Sequence, residues 1–278
     1  MNGLLGNDLE RVCHRAAELV ARWGGGPVPD LGAFQVDDSG WDFRVFHVGP
    51  WCLRAARRPE AAVRMEREAA ALAVVRTVVG LPMPAPDELA PGVTVGPWLE
   101  GRPLTAEDVP AVADELAHAL HALHALAPSA IGVEAGEGHQ EATRQEALEV
   151  LNQARQHRLQ SPDVAVLAVG IEDPTLWSYP PTLVHADLTP NHILVSEDGT
   201  ALAGLLDWSD LRVDDPAIDL AGIGCAVGEE SGDLLVDAYL RCKPQGAAIE
   251  SALKRRVRLR EAWGRIVEEL HNAGCRRG

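Results

Sequence analysis

The sequence lacks most of what a membrane protein, a disulfide scaffold or a nucleic-acid binder needs. No uninterrupted apolar stretch approaches the roughly 20 residues of a bilayer span. The five cysteines, Cys13, Cys52, Cys225, Cys242 and Cys275, are odd in number, widely spaced and without a CxxC pair. Free thiols in a reducing compartment are therefore expected. Asp8, Glu10 and Arg11 precede any long apolar run, so no signal peptide is expected, and a cytoplasmic setting is. Basic charge is short: 25 Lys and Arg stand against 41 Asp and Glu, a net charge of −16. A general nucleic-acid binder needs a basic surface, so neither nucleic acid nor membrane is an expected partner. The acidity suits a cationic ligand, although it also serves solubility. A Walker A sequence is absent, which argues against a P-loop nucleotide site. No internal repeat or low-complexity tract occurs.

What is present is an ordinary globular composition, 46% hydrophobic and 24% charged over 278 residues, enough for one large or two modest domains. Leu9, Val12, Ala16, Leu19, Val20 and Trp23 predict an amphipathic helix over 8–23, ended by Gly24-Gly25-Gly26-Pro27. Extended segments at 31–36, 43–48 and 51–55 are separated by Asp38-Ser39-Gly40 and Gly49-Pro50. They predict a three-stranded antiparallel meander. A helix follows over 60–79 and stops at Leu81-Pro82-Met83-Pro84. A further strand is expected over 93–99, with Pro97 at its edge or end. Glu100-Gly101-Arg102-Pro103 is turn-rich and marks a boundary between domains 1–100 and 101–278.

Beyond it the pattern is helical, over 109–126, 141–159, 216–226, 230–242 and 247–272. Thr105-x-x-Asp108 is a candidate capping box ahead of the first of these. The apolar segment 163–170 fits no period. The expected fold class is α+β, a small strand-rich N-lobe and a larger, mostly helical C-lobe.

The chemistry concentrates in His185-Ala186-Asp187-Leu188-Thr189-Pro190-Asn191-His192-Ile193-Leu194 and in Leu205-Leu206-Asp207-Trp208. Between the two, Ile193-Leu194-Val195, a bend at Glu197-Asp198-Gly199, and Ala201 to Leu206 read as strand, turn, strand. Such a hairpin holds Asp187 before its first strand and Asp207 after its second, at one end. Asp is common in turns, so either carboxylate taken alone reads as structural. Together they suit phosphoryl transfer, which needs one carboxylate to take the hydroxyl proton and another to hold Mg²⁺ on the nucleotide phosphates. His118, His121 and His124 recur every third residue, but that step drifts around a helix and no carboxylate or thiol completes a metal set. His124 reads as a satisfied core histidine.

These residues resemble the catalytic region of the aminoglycoside phosphotransferase-like antibiotic kinases. The family pattern is His-Gly-Asp-Leu-x-x-x-Asn-(Ile/Val)-Leu, then Ile-Asp-Trp, then Asp-Pro-x-x-Asp-Leu-Ala, the last matched by Asp215-Pro216-Ala217-Ile218-Asp219-Leu220-Ala221. The run 206–219, with Ser39-Gly40-Trp41-Asp42-Phe43 and the segment 51–59, is similar to the macrolide 2′-phosphotransferase branch. The resemblance implies a bilobal, protein-kinase-like fold, Mg²⁺ as cofactor and GTP or ATP as co-substrate. It implies an antibiotic hydroxyl as acceptor, most closely the 2′-hydroxyl of a macrolide amino sugar. An aminoglycoside or a tuberactinomycin-type peptide antibiotic is the alternative, and an inactive kinase-like binding protein is the alternative of another class. A monomer is expected.

By the same resemblance Asp187 is the catalytic base and Asp207 a metal ligand, with His192 at the place of a second, metal-binding Asn. His185 and Asp219 are structural supports. Arg54 faces the nucleotide phosphates, paired with Glu68 or, failing that, Glu66. Ser39 lies in the nucleotide-covering loop, and Gly96 and Trp98 lie at the hinge that meets the base. Asp210, Glu229 and Glu230 are candidates for attracting the acceptor's amine. Trp208, Trp263 and Leu270 are candidates for apolar surface or for core. The sequence departs from the pattern at Ala186 for Gly, at Asn191, which stands one position early, and at His192.

Overall fold

The computed structural model describes residues 9–134, 138–242 and 246–274. The described chain forms two compact units. One comprises residues 9–77, Pro82–Glu100 and Gly204–Ser209, and the other the remaining described residues.

The first unit opens with helix α1 (Leu9–Gly24), whose Val12, Ala16, Leu19 and Val20 are buried as the apolar period requires. Then come β1 (Gln35–Asp37), β2 (Phe43–Val48), β3 (Trp51–Ala56), helix α2 (Pro59–Val79), β4 (Asp87–Ala90) and β5 (Val93–Pro97). They form one antiparallel sheet in the order β1-β2-β3-β5-β4. Residues Leu31–Ala33, expected within the first strand, are instead a short 3-10 helix. The chain bends there after Asp30, which accepts the Ala33 and Gly32 N–H groups. Strand alternation sends Phe46, Val48, Leu53 and Ala55 into one core with α1. Burying a side chain such as Leu53 completely is worth about 1.5–3 kcal/mol. The intervening Arg54 is left for the other face.

The second unit resumes at Gly101 with a two-residue strand, β6 (Arg102–Pro103). Helices α3 (Val109–Ala125), α4 (His139–Gln156) and α5 (Pro162–Glu172) follow. Half of the capping box forms before α3: Thr105 N–H and Oγ both donate to Asp108 Oδ2 at 2.9 Å. Strand β7 (Thr182–Val184) leads into the 185–192 loop and β8 (Ile193–Val195) leads out of it, paired antiparallel with β6. Strand β9 (Leu202–Leu205) completes the hairpin and passes at Gly204 into the first unit.

The chain returns in β10 (Arg212–Asp214), antiparallel to β7 with Asp214 opposite Thr182, and ends in α6 (Ala217–Val227), α7 (Glu229–Cys242) and α8 (Ala247–Asn272). One core gathers Ala147, Leu151, Leu167, Trp177, Leu259 and Ile266 from α4, α5, α8 and the turn at Pro174–Trp177. Leu270 belongs to this core and Trp263 packs against it, while Trp208 is fully buried in the first unit, so all three are core residues. Cys13, Cys52, Cys225 and Cys242 are free thiols, and burial pushes those of Cys52 and Cys225 up to about 11. Cys275 lies outside the described residues. No described helix is long and apolar enough to cross a membrane.

Candidate active site

Each unit carries one set of the sequence-selected residues. In the first, Arg54 stands in the middle of β3, opposite Thr94 of β5 and Val45 of β2. Its Nη1 donates to both carboxylate oxygens of Glu68, at 2.8 Å each. Glu68 is therefore the partner, while Glu66 is exposed. Arg54 Nη2 lies 3.7 Å from Asp207 Oδ1, and the guanidinium sits 4.3 Å from the centroid of the Phe43 ring. Burial acts to lower the Arg54 pKa, but the Glu68 carboxylate, aided by Asp207, overrides it and holds the guanidinium charged.

Asp207 occupies a turn folded back on itself. Its φ is +54°, a left-handed value that Asp tolerates better than most residues. The Trp208 indole N–H donates to the Leu205 carbonyl at 3.2 Å, Ser209 Oγ donates to Asp207 Oδ1 at 3.0 Å, and Trp208 N–H donates to Glu68 Oε1 at 3.3 Å. Glu68 thus ties the cation of β3 to the turn that presents Asp207.

The other residues expected to meet nucleotide are placed as follows. Ser39 lies in an exposed turn, with its N–H and Oγ on Asp37 Oδ1. The neighbouring Asp38 accepts from Arg44 and Arg57, and Asp42 pairs with Arg58 and Arg64, so these arginines brace the turn. Gly96 stands in β5, where a Cβ would come within 2.8 Å of the Ala85 carbonyl oxygen, so only glycine fits. The Trp98 ring stacks on His47 at 3.9 Å. Its backbone N–H donates to the Pro50 carbonyl at 2.8 Å, so that donor is committed within the unit.

In the second unit the loop after β7 is gripped from beneath. Asp219, fully buried in the first turn of α6, accepts His185 N–H at 2.9 Å on Oδ2 and Ala186 N–H at 2.8 Å on Oδ1. Ala186 has a φ of +70°, the left-handed conformation that a glycine takes without penalty. Asp187 N–H donates to Nδ1 of the buried His185 at 3.4 Å. The Asp187 carbonyl accepts His192 Nδ1 at 2.6 Å and Thr189 N–H at 3.1 Å. Its side chain is 44% exposed, with Oδ2 3.5 Å from His192 Nδ1. Asn191 is exposed. Burial works to raise the Asp219 carboxyl, but the His124 hydrogen bond and charge, with His185 and the Ala186 N–H, hold it below the usual carboxylate range.

Of the acidic residues considered for an acceptor, Asp210 is exposed in the turn before β10. Glu229 and Glu230 are exposed in the first turn of α7, with Glu229 3.2 Å from Arg258. The nearby Asp214 is buried, 3.3 Å from Arg260, and next to it Asp215 receives Arg256 Nε at 3.0 and 3.1 Å. Arg212, two residues from Asp214, also reaches it at 3.2 Å, but Arg260 and Arg256 lie more than 40 residues from their partners, which no local pattern reveals. Sequence reasoning also missed Tyr239 and left His124 without partners. His124 Nδ1 lies 2.8 Å from Tyr239 Oη, and His124 Nε2 lies 3.0 Å from Asp219 Oδ2.

Mg²⁺ prefers oxygen donors. The carboxylate of Asp207 suits it. The imidazole of His192 suits it less, and only Nε2 is a candidate ligand atom because Nδ1 is turned to the Asp187 carbonyl. The residues fit a Mg²⁺ held through Asp207.

A small antiparallel sheet with a buried Arg–Glu pair, and a helical unit clamping the loop of a partly exposed Asp, make up an α+β, protein-kinase-like fold. The sequence matches the family described as "Phosphotransferase enzyme family" over residues 33–249. The chain belongs to that family. It is 27% identical over 236 residues to the uncharacterized protein YcbJ of Bacillus subtilis (strain 168), covering 74% of each chain. In fold it is similar to macrolide 2′-phosphotransferase type I, with a TM-score of 0.72 at 24% identity, covering 95% of this chain and 92% of that one. Macrolide 2′-phosphotransferase MphH of Brachybacterium faecium gives a TM-score of 0.70 at 22% identity, over 93% and 92% of the two chains. APH(2")-IIia, in complex with GDP and kanamycin, gives 0.74 at 17% identity, over 94% and 93%.

Proposed function

We propose that the protein transfers the γ-phosphoryl group of GTP or ATP to an antibiotic hydroxyl, and that the acceptor is the 2′-hydroxyl of a macrolide amino sugar. It would act as a cytoplasmic monomer. The observation that carries the reading is the Asp187 loop. Its backbone is fixed by Asp219, Thr189 and His192 while the carboxylate stays open to solvent. A base held this way is oriented by its backbone, with His192 beside its carboxylate.

In this reading Asp187 accepts the proton of the acceptor hydroxyl. The hydroxyl oxygen forms the new P–O bond, the bond from the γ-phosphorus to the bridging oxygen breaks, and nucleoside diphosphate leaves with that electron pair. Arg54, kept charged by Glu68, steadies the nucleotide phosphates, and Asp207 holds Mg²⁺. When bound, Mg²⁺ supplies charge neutralisation along the phosphates. Ser39, Gly96 and Trp98 border the nucleotide, and His192 orders the base through its carbonyl. Asp210, Glu229 and Glu230 attract the protonated sugar amine.

Support for a macrolide acceptor comes from the run 206–219 and from the fold likeness to two macrolide 2′-phosphotransferases. The likeness to APH(2")-IIia with kanamycin supports an aminoglycoside as second reading. Against an inactive binding protein stands Ala186, which takes the left-handed conformation a glycine would supply in spite of its side chain.

Asp187→Ala should abolish phosphate transfer to a macrolide while nucleotide affinity stays within a few-fold, and Asp207→Ala should weaken nucleotide binding only when Mg²⁺ is present. Persistent turnover without Asp187, or calorimetric binding unchanged without Asp207, refutes the respective role.

A further inference from the structure

The buried groups beneath the 185–187 loop are richer than one structural carboxylate requires. Asp219 on α6 binds two loop N–H groups, and a third partner, His124 of α3, reaches its Oδ2 at 3.0 Å. His124 is in turn met by Tyr239 of α7 at 2.8 Å. Three helices therefore converge on one acceptor, and that acceptor holds the backbone of Ala186 at φ +70°. An L-residue other than Gly resists this conformation by roughly 1–2 kcal/mol, and it persists only where surrounding contacts over-determine it.

We propose that His124 and Tyr239 are positioning residues for the base, and that they matter because this chain has Ala, and not Gly, at position 186. The proposal rests on Asp187 being that base. The chemistry runs outward from Tyr239. Its hydroxyl meets His124 Nδ1 at 2.8 Å and so holds the ring with Nε2 facing Asp219 Oδ2 at 3.0 Å. Burial, with the nearby Asp219 charge, pushes the Tyr239 phenol up, so it remains a donor. Asp219 is then oriented with one oxygen toward each part of its load: Oδ1 to Ala186 N–H, Oδ2 to His185 N–H and His124. Without the tyrosine hydroxyl the ring loses its hold at Nδ1 and is free to turn away from Asp219 Oδ2, and the clamp on the strained residue loosens. A glycine at 186 needs no clamp of this strength.

The test is a double-mutant cycle between Tyr239→Phe and Ala186→Gly, with Tyr239→Phe chosen because His124→Ala risks the packing of three helices. Two readouts are taken: steady-state phosphate transfer, and amide exchange of a peptide spanning 183–190 by mass spectrometry. In the parent chain Tyr239→Phe should lower kcat about fivefold, the worth of one buried hydrogen bond, with nucleotide KM unchanged. Exchange at 185–187 should quicken. In the Ala186→Gly background the same substitution should lower kcat less than about twofold. Equal losses in both backgrounds, or unchanged exchange at 185–187, overturn the proposal. If Asp187→Ala retains transfer, the assignment of the base fails instead, and the exchange arm still reads the clamp on its own.

Discussion

Glu68 is the side chain on which the first half of the site depends, and replacing it has a calculable effect. Glu68→Ala removes the acceptor of two 2.8 Å bonds from Arg54 and of the 3.3 Å bond from Trp208 N–H. Breaking a buried ion pair by deleting one partner costs about 3–5 kcal/mol, because the other charge is left desolvated. Arg54 keeps Asp207 at 3.7 Å and the Phe43 ring at 4.3 Å, so the loss should fall near the lower end, about 3 kcal/mol. Glu66→Ala is the internal control. It lies two residues away on the same helix, exposed, and should change stability by no more than about 0.5 kcal/mol. Denaturant unfolding of both variants gives the comparison, and titration calorimetry with nucleotide reads whether Arg54 has lost its aim. Comparable losses for the two variants, or a Glu68→Ala protein that binds nucleotide as the parent does, would refute the reasoning.

Gly222→Ala should destabilise by about 1–3 kcal/mol, because the new Cβ would lie 2.5 Å from the Leu188 carbonyl oxygen and must push α6 from the loop. The denaturation midpoint checks this, and kcat should fall with it. Acid should destabilise the fold for a defined reason. Asp163 is held low by its Arg265 hydrogen bond against burial. Asp219 and Asp214 are held low against burial, by His124 in the first case and chiefly by Arg260 in the second. Carboxylates depressed in the folded state contribute stability that is present above their unfolded pKa, about 4, and lost as pH falls through the folded value. Unfolding midpoints should therefore be steady near neutrality and drop below about pH 4, and Asp163→Asn should flatten part of that slope. A midpoint that rises on acidification contradicts the argument.

Much of the fold could be read in the sequence where one element carries its own period. Helices α1, α2 and α3 and the hairpin strands β8 and β9 declare themselves by apolar spacing and by turn residues at their ends. Elements without such a period were missed. Strand β4 is Asp-Glu-Leu-Ala with its first two residues exposed, and β7 and β10 are three residues each, too short to alternate. Helix α5 is apolar almost all round, with Val166 and Val169 exposed, so no stripe marks its buried face. Around the candidate site, the pairing of Arg54 with Glu68 could be anticipated from the family resemblance, and the exposure of Glu66 two residues away decides between the two carboxylates. The burial of Asp214 and the partners of His124 could not, since they are made between helices and strands distant in sequence.

The most direct test of the central claim is to incubate the protein with GTP or ATP, Mg²⁺ and a panel of macrolides, aminoglycosides and tuberactinomycins, and to weigh the products. One added phosphate on a macrolide, lost when the 2′-hydroxyl is blocked or when Asp187 is replaced by Ala, is the predicted result. Nucleotide binding with no phosphorylated product from any acceptor would contradict it.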